Sequence, residues 1–221
     1  MISTEVKQTL ATWTDVRANM LNWYNDRSII LNLKNLFKGT PSFQFNSPAQ
    51  SGPKTLHFYP AVNTSNELVM YIINGNDDKL SVFEKTSPDQ FVQDYVTIAP
   101  IIQSPPSNSP AFPDENVLSQ IHADEALQRI RNWDVYHNTW IEVEVPKDGI
   151  FQAFTLTASD QGLQGDLMGY FGLDGTANPF NFTADLILLN TENNFYNTVR
   201  PVPPFPSGEE FFMLDAAVGL P

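Results

Sequence analysis

Apolar positions along this chain change their period several times, and each change marks an element. Ala123, Ala126, Leu127, Ile130, Trp133 and His137 recur at three- and four-residue steps, which places them on one face of a helix. Asp124 and Glu125 open that stretch, where carboxylates complement the positive end of a helix dipole. Val16, Met20 and Trp23 trace the same stripe nearer the N-terminus, and Thr12 with Asp15 three residues on makes a capping pair. Period two takes over elsewhere. Glu142-Val143-Glu144-Val145 alternates, as does Phe151 to Thr157, and both read as strands, followed by the apolar runs "LMGYFGL" (167–173) and "DLILLN" (185–190). Asn74-Gly75-Asn76-Asp77 reads as a hairpin turn of the Asn-Gly kind.

These elements recur. "MLNWYND" (20–26) matches "IRNWDVY" (130–136), each with Asn-Trp near the end of a helical pattern. "LHFYPAVNTSNELVMYIINGNDD" (56–78) matches 168–194 as strand, polar loop, apolar strand and Asn-rich turn. "YVTIAPIIQSPP" (95–106) matches "YNTVRPVPPFP" (196–206) through Tyr-x-Thr and a following proline. Three matches in one order predict a duplicated α+β protein: two similar modules, each a helix packed on a mostly antiparallel sheet. The expected boundaries are 1–98 for the first module, 99–113 for a Pro-rich linker, 114–206 for the second module and 207–221 for an apolar tail. The linker reading rests on the prolines of 99–116 and on the absence of any helical or strand period there.

The repeat decides how to read Arg200-Pro201-Val202-Pro203-Pro204-Phe205-Pro206. Its R-x-x-P-x-x-P spacing suits an aromatic groove that reads polyproline II peptides. The first copy carries "APIIQSPP" at the same place, with Ala99 where the arginine stands. The segment is therefore expected to be the structural close of each module.

Charge and cysteine content narrow the function classes. With 25 acidic against 12 basic residues the net charge is −13, which opposes phosphate backbones and anionic membrane surfaces and leaves a basic protein partner allowed. The chain has no cysteine, so disulfides, thiolate zinc sites and cysteine nucleophiles are excluded together. "MISTEVKQTLATWTDV" lacks the basic and apolar regions of a signal peptide, and no apolar run approaches membrane-spanning length. The expectation is a cytoplasmic protein that binds neither nucleic acid nor membrane.

Chemical motifs are sparse. No G-x-S-x-G, S-x-x-K or phosphate-binding glycine loop occurs, and Gly162-Leu163-Gln164-Gly165 lacks the residues that would complete one. His57, His122 and His137 are the only histidines. Asp134 and His137 lie at i, i+3 on one helix, a spacing that can supply two metal ligands. Without a second histidine nearby, His137 reads instead as a packing residue near Trp140 with its ring partly wet, and neither a metal nor a cofactor is expected. Asp160, Asp166, Asp174 and Asp185 fall in the second module's sheet, where two of them can converge as an acid/base pair or a hard-cation site. The first copy has Val62 and Val69 in the places of Asp174 and Asp185, so surface and turn carboxylates are the expected reading. Trp23 and Trp133 read as core anchors. Phe211, Phe212, Met213 and Leu214 are too apolar to be left in water. They cover their own sheet or insert into a neighbour, and are the candidate surface for a protein partner or a second copy.

Tyr170-Phe171-Gly172-Leu173-Asp174, then Leu186-Ile187-Leu188-Leu189, then a proline-rich close, resemble an uncharacterised family of small bacterial proteins. The resemblance covers the second module, departs from the family in lacking cysteine at the close, and implies no activity. The functional expectation is a non-catalytic, acidic interaction protein of the adaptor or immunity kind. The alternative is an enzyme or small-molecule binder with a cleft between the modules, built around Trp133, Tyr170, Asp174 and Asp185.

Overall fold

Four strands of this chain are apolar on both faces, so each needs cover on two sides. They are β2 (Lys54–Val62), β3 (Leu68–Asn74), β8 (Gly165–Asp174) and β9 (Thr183–Asn190). The computed structural model describes residues 11–47, 54–106, 120–158, 163–175, 182–202 and 211–219. Its remaining strands are β1 (Pro41–Ser47), β4 (Thr97–Pro100), β5 (Ile102–Gln103), β6 (Gln120–Ile121), β7 (Ala153–Ala158) and β10 (Phe195–Val202). The helices are α1 (Trp13–Asp26), α2 (Ile30–Leu36), α3 (Leu80–Phe83), α4 (Pro88–Tyr95), α5 (Ala123–Asp148) and α6 (Phe212–Val218). The fold is α+β.

All ten strands belong to one sheet in the order β4-β3-β2-β7-β10-β9-β8-β1-β5, with β6 beside β10, and every pair is antiparallel. The two ends of that order, β4 and β5, are separated in the chain by Ile101 alone. One extended stretch thus pairs with β3 through its first half and with β1 through its second, which closes the sheet into a barrel and leaves no long free edge among the described strands. β1 pairs with β5 and β8, and β7 pairs with β10 and β2.

The barrel interior is filled, not hollow. Phe43, Phe45, Leu56, Phe58, Met70, Ile72, Phe154, Leu156, Phe171, Leu186 and Leu188 pack in one cluster. Trp23, Leu33 and Phe37 from the N-terminal helices, with Trp133, Trp140, Ile141 and Phe151, join that cluster and plug the end where β1 begins. Gly169 sits opposite Phe43 on the inner face, and a Cβ built there would lie 2.4 Å from the Phe43 ring. Gly169→Ala is therefore expected to displace that ring and cost about 1–3 kcal/mol in a urea melt.

The outer faces are covered helix by helix. Val16 and Met20 of α1 lie on Tyr59, Ala61, Val69 and Tyr71 of β2 and β3, together with Phe91 of α4 and Met213 and Leu214 of α6. Ala123, Ala126 and Ile130 of α5 lie on Tyr170, Ile187 and Phe195. The capping pair forms as expected: Thr12 Oγ1 accepts from Asp15 N–H at 3.2 Å, and the Asp15 carboxylate accepts from Thr12 N–H at 3.1 Å.

Three local expectations are corrected. Glu142–Val145 is not a strand; it continues α5, because buried Trp140 and Ile141 extend the helical stripe of Trp133 and His137 past it. Asn74–Asp77 does not join two strands. It is a turn in which the Asn74 carbonyl accepts from the N–H groups of both Asp77 and Asp78, and it leads from β3 towards α3. The β2–β3 hairpin turns instead at Asn63, whose side chain accepts from Ser65 and Glu67 N–H at 2.9 Å each. The segment expected as a linker from residue 99 begins as sheet: Ala99 and Pro100 pair with Met70 and Val69, and Ile102 with Ser42. Its short strands carry too few residues to show a period. Residues 107–113 lie outside the described residues. Of the R-x-x-P-x-x-P segment, Arg200, Pro201 and Val202 are paired with β7, and residues 203–206 are likewise outside.

Candidate functional site

At the end of the barrel opposite the aromatic plug, the closing residues of β1 and β3 and the first residues of β2 and β4 surround a pocket of about 230 Å³. Phe45, Leu56 and Ile72, which face the barrel interior, form its floor. Asn46, Ser47, Asn74, Asp77, Gln93, Asp94, Tyr95 and Thr97 contribute to its walls and rim, and among the described residues no lysine, arginine or histidine lines it. Asp77 is half-buried and burial raises its carboxyl above the ordinary range, with Lys79 pulling the other way. Among the described residues its carboxylate accepts no hydrogen bond, whereas Asp94 accepts from Gln90 at 2.6 Å and Asn46 donates to Asp166 at 2.8 Å. The chemistry on offer is that of an acidic, partly aromatic recess suited to a positively charged group. Among its described lining residues there is no histidine or lysine, so carboxylates are its titratable groups apart from Tyr95.

The same Asn-rich turn carries a second polar centre one residue on. Asp78 is fully buried; its Oδ2 lies 2.7 Å from His57 Nδ1 and accepts the hydroxyl hydrogen of Tyr59, while its Oδ1 accepts from Met213 N–H at 2.8 Å. Burial first, then Asp78 and Asp215, push the Tyr59 hydroxyl well above its ordinary value, so it stays a donor. The Phe211 ring lies 4.4 Å from the His57 ring at 33° and covers it. An aspartate orienting an imidazole is half of an acid–base device; here the imidazole is buried beneath the Phe211 ring.

The residues singled out from sequence go to other places. Trp133 is buried in the plug and Tyr170 under α5, its hydroxyl donating to Met168 Sδ and its pKa raised by burial. Asp174 and Asp185 do converge, but on Arg129 of α5, at 3.3 and 2.6 Å, where Glu125 also reaches the guanidinium at 2.5 Å. Burial raises the Asp185 carboxyl, and Arg129 offsets that only in part. None of these four residues lines the pocket. Asp166 meets Asn46, and Asp160 lies outside the described residues. His137 is drier than expected: it is buried, stacked on Trp133 at 13°, with Nδ1 donating to the Trp133 carbonyl, while Asp134 faces solvent. Phe211, Met213 and Leu214 are buried against their own chain, and Phe212 packs on Phe83 and Phe91.

Sequence reasoning missed Asp77, Asp78 and Arg129. The two aspartates sit in an Asn-Gly segment whose composition is explained by the turn alone. The alternation of His57 and Tyr59 within an apolar strand was the available signal for the buried network.

No helix among the described residues is long and apolar enough to cross a membrane. No protein-family model, curated protein or solved structure matches the chain, so the resemblance noted for its second module brings no activity with it.

Proposed function

We propose that this chain is a non-catalytic, cytoplasmic binding protein whose acidic barrel mouth receives a lysine or arginine side chain of a basic protein partner. One observation carries the proposal: Asp77, half-buried and raised by burial, accepts no hydrogen bond among the described residues and faces a recess whose described lining includes Asp94 and no lysine, arginine or histidine. An incoming ammonium or guanidinium group would relieve that destabilised carboxylate, and the net charge of −13 would steer a basic partner towards it. The test is capture from host lysate by the wild type and by Asp77→Asn/Asp94→Asn, with retained proteins identified by mass spectrometry. A basic protein held by the wild type, released at high salt and lost from the double variant is the expected result. Equal retention by both proteins would overturn the reading.

The apolar floor of Phe45, Leu56 and Ile72 favours a second reading, a small organic cation seated in the pocket as its own ligand. It keeps the small-molecule alternative but moves it from a cleft between modules to residues 45–97, all from the first half of the chain.

The architecture is proposed to descend from an internal duplication of a helix followed by four strands. Its support is a pairing pattern that survives exchange of β1 with β7, β2 with β8, β3 with β9 and β4–β5 with β10. The placement of α1 against β2 and of α5 against β8 obeys the same exchange.

A further inference from the structure

Among the described residues, the barrel mouth that carries the recess is open on one side and filled on the other. β3 and β9 are separated by four antiparallel steps of the sheet, so they run the same way and end at the same mouth. Each ends in an asparagine, Asn74 or Asn190, whose side-chain oxygen accepts from N–H groups of the turn that follows. Two positions earlier each has an apolar residue, Ile72 or Leu188, facing the interior. What stands opposite that residue differs: Tyr196 of β10 pairs with Leu188, and Thr97 of β4 pairs with Ile72. Paired residues share a face of the sheet, so both side chains are set towards the mouth. Tyr196 is 1% exposed and packs in the interior cluster, and its hydroxyl accepts from Asn190 Nδ2 at 3.3 Å and from Gln120 Nε2 at 3.2 Å. Thr97 is exposed and lines the recess. Tyr95, which the sequence repeat matches to Tyr196, does not take the inner place. It ends α4 and lays its ring on Phe91 at 5.5 Å in the outer cluster, whereas a register shift between Tyr196 and Val199 re-aims Tyr196 inward.

We propose that Thr97 determines what the recess admits: standing where the other half of the mouth has Tyr196, it leaves open the space of a planar, ring-sized group, and the guanidinium of a partner's arginine fills it. The inference rests on the recess being a cation site. On the filled side, the amides of Asn190 and Gln120 donate to the Tyr196 hydroxyl. The recess instead presents the carboxylates of Asp77 and Asp94, so the group it receives is a donor. A guanidinium is planar and weakly hydrated, whereas an ammonium is compact and holds its water strongly. Over the apolar floor of Phe45, Leu56 and Ile72, the group that sheds water more readily is favoured.

The test titrates N-acetyl-arginine methylamide, and separately N-acetyl-lysine methylamide, into the ¹⁵N-labelled full chain and follows the amide signals of Asn46 and Asn74. Saturable shifts are expected, with the arginine probe bound at least about fivefold tighter than the lysine probe. Thr97→Tyr is expected to weaken the arginine probe at least about tenfold, and Thr97→Leu, which fills less of the space, by less. Both variants should keep a urea midpoint no lower than that of the wild type, because the added side chain enters space already present. A folded Thr97→Tyr chain that binds the arginine probe as the wild type does overturns the proposal and leaves the cation reading of the recess standing. A Thr97→Tyr chain that does not fold also overturns it, since the space of a tyrosine ring would then be absent. Equal binding of the two probes removes the arginine preference. A wild type that responds to neither probe overturns the cation reading and this inference with it.

Discussion

Trp133→Ala is expected to destabilise the protein by about 3–5 kcal/mol, the usual range for emptying a large aromatic site in a core. Trp133 has no exposed surface, and its ring meets Phe37 at 5.0 Å, Phe171 at 5.2 Å and Trp140 at 5.7 Å. Those neighbours come from the residue that caps α2, from β8 and from α5 itself, so the cavity would open where helices and barrel meet and no single element can collapse into it. A loss of this size is a large part of the ~5–15 kcal/mol that stabilises a typical domain. The urea midpoint is the measurement, and two milder variants separate volume from polarity. Trp133 Nε1 has no hydrogen-bond partner among the described residues, so Trp133→Phe is expected to lose volume alone. Trp140 Nε1 donates to the Phe182 carbonyl at 3.0 Å, so Trp140→Phe also strips a buried acceptor and should cost more. A Trp133→Ala midpoint within error of the wild type would show that the plug is not what holds this end of the barrel shut.

Both tryptophans of the repeated Asn-Trp pair were legible as core anchors because a helical stripe fixes which face is buried. Trp23 and Trp133 indeed enter the same cluster. The strand runs 56–62, 68–73 and 185–190 were legible for a similar reason: apolar residues on both faces leave few alternatives. Barrel closure was not. It depends on Ile101 letting one extended stretch change partners from β3 to β1, a matter of tertiary register that four- and two-residue strands cannot announce. The end of α5 was misread because Glu142-Val143-Glu144-Val145 satisfies a period of two locally, while the helix is propagated from Ala123 and held by Trp140 and Ile141.

The candidate site was harder to read than the fold. Pocket carboxylates at Asp77 and Asp94 lie 17 positions apart on a turn and a short helix, and only the packing of α4 against the end of β3 brings them to one recess. Asp78 is polar, fully buried and adjacent to a turn carboxylate, so nothing in its neighbours distinguishes it from Asp77. Asp174 and Asp185 were singled out as a pair, yet their joint partner was overlooked, since Arg129 interrupts an apolar stripe and reads as solvated edge. Gly172 stands beside Asp185 in the sheet register, with the start of the Arg129 side chain packed over it: a Cβ built there would lie 3.4 Å from the Arg129 Cβ, an ordinary contact.

Arg129→Met should test that cluster with nearly as large an effect as the tryptophan. Removing one partner of a buried ion pair costs about 3–5 kcal/mol, because the charge left behind has lost both its solvent and its counter-ion. Here Asp185 would remain buried, with its Oδ1 still accepting from Leu186 N–H at 2.8 Å, and Glu125 and Asp174 would add like charge around it. Burial already raises the Asp185 carboxyl, and losing the guanidinium raises it further. A raised carboxyl favours the fold while protonated, so its contribution is complete below the ordinary carboxylate range and is lost as pH rises through the folded value. The variant's deficit relative to wild type is therefore expected to be small in acid and to grow towards neutral pH, read as urea midpoints at about pH 5 and about pH 8. Arg129→Met/Asp185→Leu removes the stranded charge together with its partner and should recover much of the loss at the higher pH. A deficit of the same size at both pH values, unrelieved in the double variant, would mean that Arg129 serves through the packing of its stem on Gly172 and not through its charge.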